Sequence, residues 1–100
     1  MTESRAKTKE ELRGEFVAVA KQMARYWAHQ ECNSEIDRCE GLLFSLMNII
    51  DGTNGAISCS FDLVARPHPN DKQYHIEEVS NYVEDGMVIN EDVMLHDLVN

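Results

Sequence analysis

The chain has 100 residues, 43% of them hydrophobic, with a formal net charge of −9 and a pI near 4.7. That length supports a single domain, residues 1–100, around one modest core. The acidic balance argues against a nucleic-acid or anionic-membrane partner, because both kinds of binding draw on Lys and Arg. The charge is also lopsided: residues 1–40 hold 8 acidic and 7 basic side chains, residues 41–100 hold 10 and 2, and the two cations are Arg66 and Lys72. A well-solvated face follows from this, and so does a surface able to take a basic protein partner.

Cys32, Cys39 and Cys59 are odd in number and contain no C-x-x-C pair, so neither a disulfide framework nor a zinc ribbon is indicated. Reduced thiols suit a cytoplasmic protein. Met1 leads straight into charged residues, and the longest apolar run falls far short of the roughly 20 residues needed to span a bilayer. A cytoplasmic location is therefore expected.

Residues 1–7 are polar and read as a flexible tail. Thr8-Lys9-Glu10-Glu11 is a capping box, with Thr8 accepting from the backbone N–H of Glu11 while the Glu11 side chain reaches back. A helix starts there and runs to about Gln30, with Leu12, Phe16, Val19, Ala20, Met23 and Trp27 forming its apolar stripe. Asn33 or Ser34 caps the next helix. Its centre, Leu42 to Ile50, is apolar apart from Ser45 and Asn48, the pattern of a helix covered on every side. The short joint between the two helices makes them antiparallel, with Gly41 as the point where helix one crosses. Gly52 ends the second helix in the left-handed conformation.

From Ala56 to Arg66 the apolar period switches to two: Ile57, Cys59, Phe61, Leu63 and Ala65 alternate with mostly polar neighbours, which predicts a strand. Pro67-His68-Pro69 stops it. Residues 71–79 read as a short helix, with a strand as the alternative, and Asp85-Gly86 as the turn of a hairpin within 81–89. Asn90 caps a last helix that turns Val93, Met94, Leu95 and Leu98 inward. The predicted fold is α+β: an antiparallel helix pair packed on a small, mainly antiparallel sheet, with a short C-terminal helix. A small domain with one dominant strand is expected to homodimerise.

The stretches CEGLLFSLMNIIDGTNG (39–55) and FDLVARPHPNDKQYH (61–75), the pair Asn81-Tyr82, and Ile89-Asn90 with Leu95-His96-Asp97 together resemble a family of short, uncharacterised bacterial and prophage-type proteins. The resemblance covers most of the chain. It implies a small stand-alone cytosolic protein and assigns no activity, cofactor or site residue.

The constellation that carries the most chemistry is His68, Asp71, His75, Asp92, His96 and Asp97. On helices, Asp71/His75 and Asp92/His96 are each four apart and share a face, so the pairs could together supply two imidazoles and two carboxylates to zinc or a similar metal. The plainer reading places Asp71 and Asp92 in first turns, where a negative charge suits the helix dipole. Ser58 and Ser60 lack a nucleophile elbow. Cys59, on the inward face of the predicted strand, reads as an inert buried thiol. No cofactor is indicated. The sequence thus favours a non-enzymatic interaction module, phage-associated if the resemblance holds. A metal-dependent or His/Asp acid–base enzyme is the second reading. The third is a DNA mimic presenting Asp62, Glu77, Glu78, Glu84, Asp85, Glu91 and Asp92 to a basic nucleic-acid-binding protein.

Overall fold

The computed structural model of the protein describes residues 4–99. Four helices follow one another: α1 (Lys9–Ala28), α2 (Glu35–Asp51), α3 (Asp71–Glu77) and α4 (Leu95–Leu98). The chain divides into two compact units, one comprising the chain up to Ser60 with the segment from Met94, the other Phe61–Val93.

In the first unit, α1 opens with the complete capping box: Thr8 Oγ1 accepts from Glu11 N–H, and the Glu11 carboxylate accepts from Thr8 N–H. Arg5 grips the same carboxylate at 2.7 Å, and Lys7 pairs with Glu15 at 2.9 Å. Arg5 and Lys7 of the predicted tail thus each pair with a carboxylate of α1, and the first three residues of that tail lie outside the described residues. The Arg5 guanidinium, followed by the Thr8 N–H, holds the Glu11 carboxyl at a pKa of about 2. Ser34 is the cap of α2, its hydroxyl accepting from Asp37 N–H. At the far end Gly52 has φ +79°, with Gly52 N–H donating to Ile49 and Thr53 N–H to Asn48. This is a Schellman closure.

Gly41 lies where the sequence places the helix crossing. A Cβ built there would sit 2.5 Å from the Trp27 ring, so only hydrogen leaves room for the indole. The indole Nε1–H then donates to Ser45 Oγ at 2.8 Å, one turn further along α2.

The expectation of a helix covered all round is corrected. Ile49 is 1% exposed, but Leu43 is 44% exposed and Phe44, Met47 and Ile50 are half-buried. Among the described residues only Val19, Ile49 and Ile57 are buried apolar side chains.

The α+β architecture is also corrected: the described residues contain no sheet, and the pairing is a single antiparallel bridge, Val64 with Val88. The reason lies in what competes for the predicted strand. Residues 54–59 run as a series of bends after the end of α2, with Ile57 buried and the Ser60 backbone 3.0 Å from where a Gly52 Cβ would sit. Cys59 is exposed there and not on a core face. Further on, Ala65 N–H donates to Met87 and Ile89 N–H to Leu63, so residues 63–65 do find an extended partner. That partner is the second arm of the predicted hairpin, which pairs with this run and not with 81–83. Asn90, predicted as a helix cap, finishes the pairing with its side chain: Oδ1 accepts from Leu63 N–H at 2.9 Å and Nδ2 donates to the Phe61 carbonyl at 2.8 Å. The alternation survives without a sheet, since Phe61, Leu63 and Ala65 are half-buried while Asp62, Val64 and Arg66 are exposed.

The predicted helix at 71–79 is α3, closed by a second Schellman motif: Val79 N–H donates to Ile76 and Ser80 N–H to His75. Its left-handed position is held by a β-branched residue, Val79, with φ +54° and 93% exposure. Left-handed backbone costs a residue with a Cβ about 1–2 kcal/mol. Val79→Gly is therefore expected to raise stability by about 1 kcal/mol, seen as a higher urea midpoint with an unchanged slope. Gly41→Ala should act in the opposite direction. Although alanine favours a helix by about 1 kcal/mol, the displaced indole gives a net loss of about 1–2 kcal/mol and a red-shifted tryptophan emission.

Candidate functional site

Asp51, the last residue of α2, is the one buried charged side chain among the described residues, 1% exposed at its carboxylate. Three donors converge on it from the segment that begins at Met94: Leu95 N–H at 2.9 Å, His96 N–H at 2.8 Å and the His96 ring nitrogen Nδ1 at 2.7 Å. An ionised carboxylate only accepts, so the hydrogen on His96 must sit on Nδ1. The ring packs edge-on against Phe44, with centroids 5.8 Å apart. Its Nε2 lies 3.3 Å from Asp97 Oδ1. Burial alone would raise the Asp51 carboxyl, but the backbone N–H groups of His96 and Leu95 and the His96 ring outweigh it. Its pKa therefore lies below the ordinary 3.8.

A carboxylate at the C-terminal end of α2 faces the negative end of the helix dipole, an unfavourable place for it. Here it serves the first backbone groups of α4 and so ties the returning chain to the end of α2. The orientation matches that of an imidazole held by a carboxylate for general-base work, but the group beside the outer ring nitrogen is the Asp97 carboxylate. The site is a tether built from the same residue types that acid–base catalysis uses.

Three of the other candidates, His68, Asp71 and His75, have local partners. His68 Nδ1 accepts from Asn70 N–H at 3.2 Å, and Asp71 Oδ2 accepts from His68 N–H at 3.2 Å, fixing the turn that leads into α3. His75 Nδ1 lies 2.7 Å from Ser80 Oγ, an exposed pair at the α3 C-terminus. Asp92 is exposed at φ +62° and lies outside any helix. His68, Asp71, His75 and Asp92 belong to the Phe61–Val93 unit, His96 and Asp97 to the other. Among the described residues no group of three His, Cys, Asp or Glu side chains could hold a metal ion. Asp51 is a functional residue that the sequence pattern does not single out, since it lies directly before the Gly52 that ends the helix. The available signal was a lone carboxylate closing an apolar helix.

The Phe61–Val93 unit presents a different kind of surface. Arg66 and Lys72 line a cleft of about 360 Å³ with His68 and the two prolines that flank it. Arg66 lies 3.4 Å from Asp85 and Lys72 3.9 Å from Glu84, with Lys72 also 4.9 Å from the Tyr82 ring centroid. Both cations are thereby matched, which leaves six carboxylates of the unit with no cationic partner among the described residues. Between them Tyr74, Ile76, Val79, Val83, Met87 and Ile89 are exposed, and no residue of the unit is buried.

No family model matches the chain, and no curated protein or solved structure matches it. Among the described residues no helix is long and apolar enough to cross a membrane.

The Asp51 tether carries a signed pH dependence. Its folded pKa is depressed, so its contribution is complete above the unfolded value near 3.8 and is lost as pH falls through the lower folded value. Asp51→Asn, which sets an amide donor against three donors, should lower stability by about 2–3 kcal/mol at pH 7. The gap between wild type and variant should narrow as pH falls below about 4, measured by urea unfolding across the acid range. A gap that stayed constant down to pH 2 would rule out the charged tether.

Proposed function

We propose that this protein acts by binding another protein, through a surface on the Phe61–Val93 unit that is both apolar and acidic. The observation that supports this is the state of that unit: 33 residues with none buried, large apolar side chains exposed, and eight carboxylates against two cations. Exposed apolar side chains rimmed by charge are the mark of an interaction surface. The apolar groups supply affinity when covered, and the carboxylates select a partner with a basic rim and speed its approach. Lysine and arginine on the partner would meet eight carboxylates, six of which lack a cation of their own among the described residues.

Tyr74 and Ile76 on α3 with Met87 and Ile89 on the paired segment are the apolar anchors of this reading, with Glu84, Asp85, Glu77 and Glu78 as the charged rim. The matched pairs Arg66–Asp85 and Lys72–Glu84 are exposed, so each contributes at most about 1 kcal/mol to the free protein. A basic partner can displace them at little cost.

Two variants test it in parallel: Ile76→Ser with Met87→Ser for the apolar part, and Glu77→Lys with Glu78→Lys for the charge. Immobilised wild-type protein should retain a basic partner from extracts of the source cells, with retention falling steeply as salt rises. Both variants, folded by circular dichroism, should lose that same partner. Retention unchanged in the double lysine variant would overturn the electrostatic half of the proposal, and retention unchanged in the serine variant the apolar half.

A further inference from the structure

The backbone pairing of residues 63–65 leaves one side of that segment open. Ala65 donates its N–H to Met87 and accepts at its carbonyl from Gly86 N–H, while the Leu63 carbonyl accepts from Ile89 N–H. Asn90 extends the same side, its side chain binding Leu63 N–H and the Phe61 carbonyl. Along an extended chain successive residues turn their N–H and C=O groups to opposite sides. With Leu63 and Ala65 turned toward 86–90, Asp62, Val64 and Arg66 turn theirs away. All three are exposed, and among the described residues no backbone–backbone hydrogen bond reaches them.

Such an edge is a template for a further extended segment, and the charges along it limit which segment fits. Asp62 and Arg66 stand at equal distances on either side of Val64 and are opposite in sign. A copy of the same segment, laid antiparallel with Val64 facing Val64, sets each Asp62 directly opposite Arg66 of the other copy. Registers centred on Asp62 or on Arg66 put like charges face to face, which destabilises a cross-strand pair.

We propose that two copies of the chain associate edge to edge through residues 62–66, antiparallel about a two-fold axis at Val64. In this register every outward N–H and C=O of Asp62, Val64 and Arg66 finds a partner, and the contact is the same from both sides, as an isologous interface requires. Arg66 already touches Asp85 of its own chain at 3.4 Å. Its guanidinium has five donors, enough to serve both carboxylates. Pro67 holds Arg66 extended and so keeps the end of the run in place. Two paired segments are marginal in water, whereas the four segments of the dimer form a sheet wide enough to support itself. The contact is short, about 17 Å for five residues, so the dimer forms and dissociates with concentration. It uses none of the anchor or rim residues of the partner surface proposed above.

Sedimentation equilibrium on the full chain, from about 1 μM to about 1 mM, tests the pairing. The mass should rise with concentration from 11.4 kDa toward twice that value. Val64→Pro removes an N–H that the chain does not use in its own backbone pairing, and it should abolish the dimer with unchanged circular dichroism. Asp62→Arg and Arg66→Asp each set like charges opposite one another, and each should dimerise about tenfold more weakly than wild type. An equimolar mixture of these two variants should recover the wild-type affinity, because every arginine then faces an aspartate. The charge variants alter exposed side chains alone and so decide the register independently of the proline. A wild-type monomer at the highest concentration would overturn the proposal. So would a dimer that tolerates Val64→Pro, or a mixture that associates no more tightly than either variant by itself.

Discussion

The indole of Trp27 lying against Gly41 is the contact on which the helical unit depends. No other residue would let the two helices approach so closely at that point, and the hydrogen bond from the indole to Ser45 fixes the ring once it is there. A tight crossing with its polar atom satisfied sets both the distance and the register of α1 and α2. The course of the open cleft along their seam follows, since Trp27 forms one of its walls. The helix pair is thus well specified in geometry while remaining poorly covered.

Cover is the scarce quantity in this molecule. The chain is rich in apolar side chains, but among the described residues few of them are fully buried. Helix ends and turns are instead secured by directed hydrogen bonds: a capping box on α1, Schellman closures on α2 and α3, the amide of Asn90 in the backbone pairing of its own unit, and Asp51 at the start of α4. Such bonds define where the chain goes at roughly 1 kcal/mol apiece, and they leave apolar faces open. Proteins that present open apolar faces use them to bind, and the proposed association rests on that.

The Asp51 tether shows how catalytic-looking geometry can be structural. A buried carboxylate orienting an imidazole is the arrangement an acid–base enzyme would use, yet here the carboxylate also accepts two backbone N–H groups, and the outer ring nitrogen lies beside another carboxylate. The remaining candidates, His68, Asp71 and His75, are engaged in forming the ends of α3. Their hydrogen bonds reach no more than five residues along the chain, which is the scale on which sequence spacing is informative.

Those local scales divide what was legible from what was not. Thr8 with Glu11, a cap at Asn33 or Ser34, Gly52 and the crossing at Gly41 could all be read from residue types, because a cap or a left-handed turn is decided by atoms within a few residues and a close helix approach calls for glycine. The α+β sheet could not be read correctly: period two at 56–66 reports that alternate side chains are covered, which does occur over Phe61–Arg66, but says nothing of whether a backbone partner is present. The partner of 63–65 lies more than twenty residues away, and Asn90 took up a backbone role that no pattern announces. Asp51 stayed hidden for the same reason, its donors being more than forty residues distant. Sequence alone settled the helix pair and its ends; the tertiary structure decided which extended segments meet, which carboxylate is buried and which apolar faces remain open, since each of these depends on contacts between residues far apart in the chain.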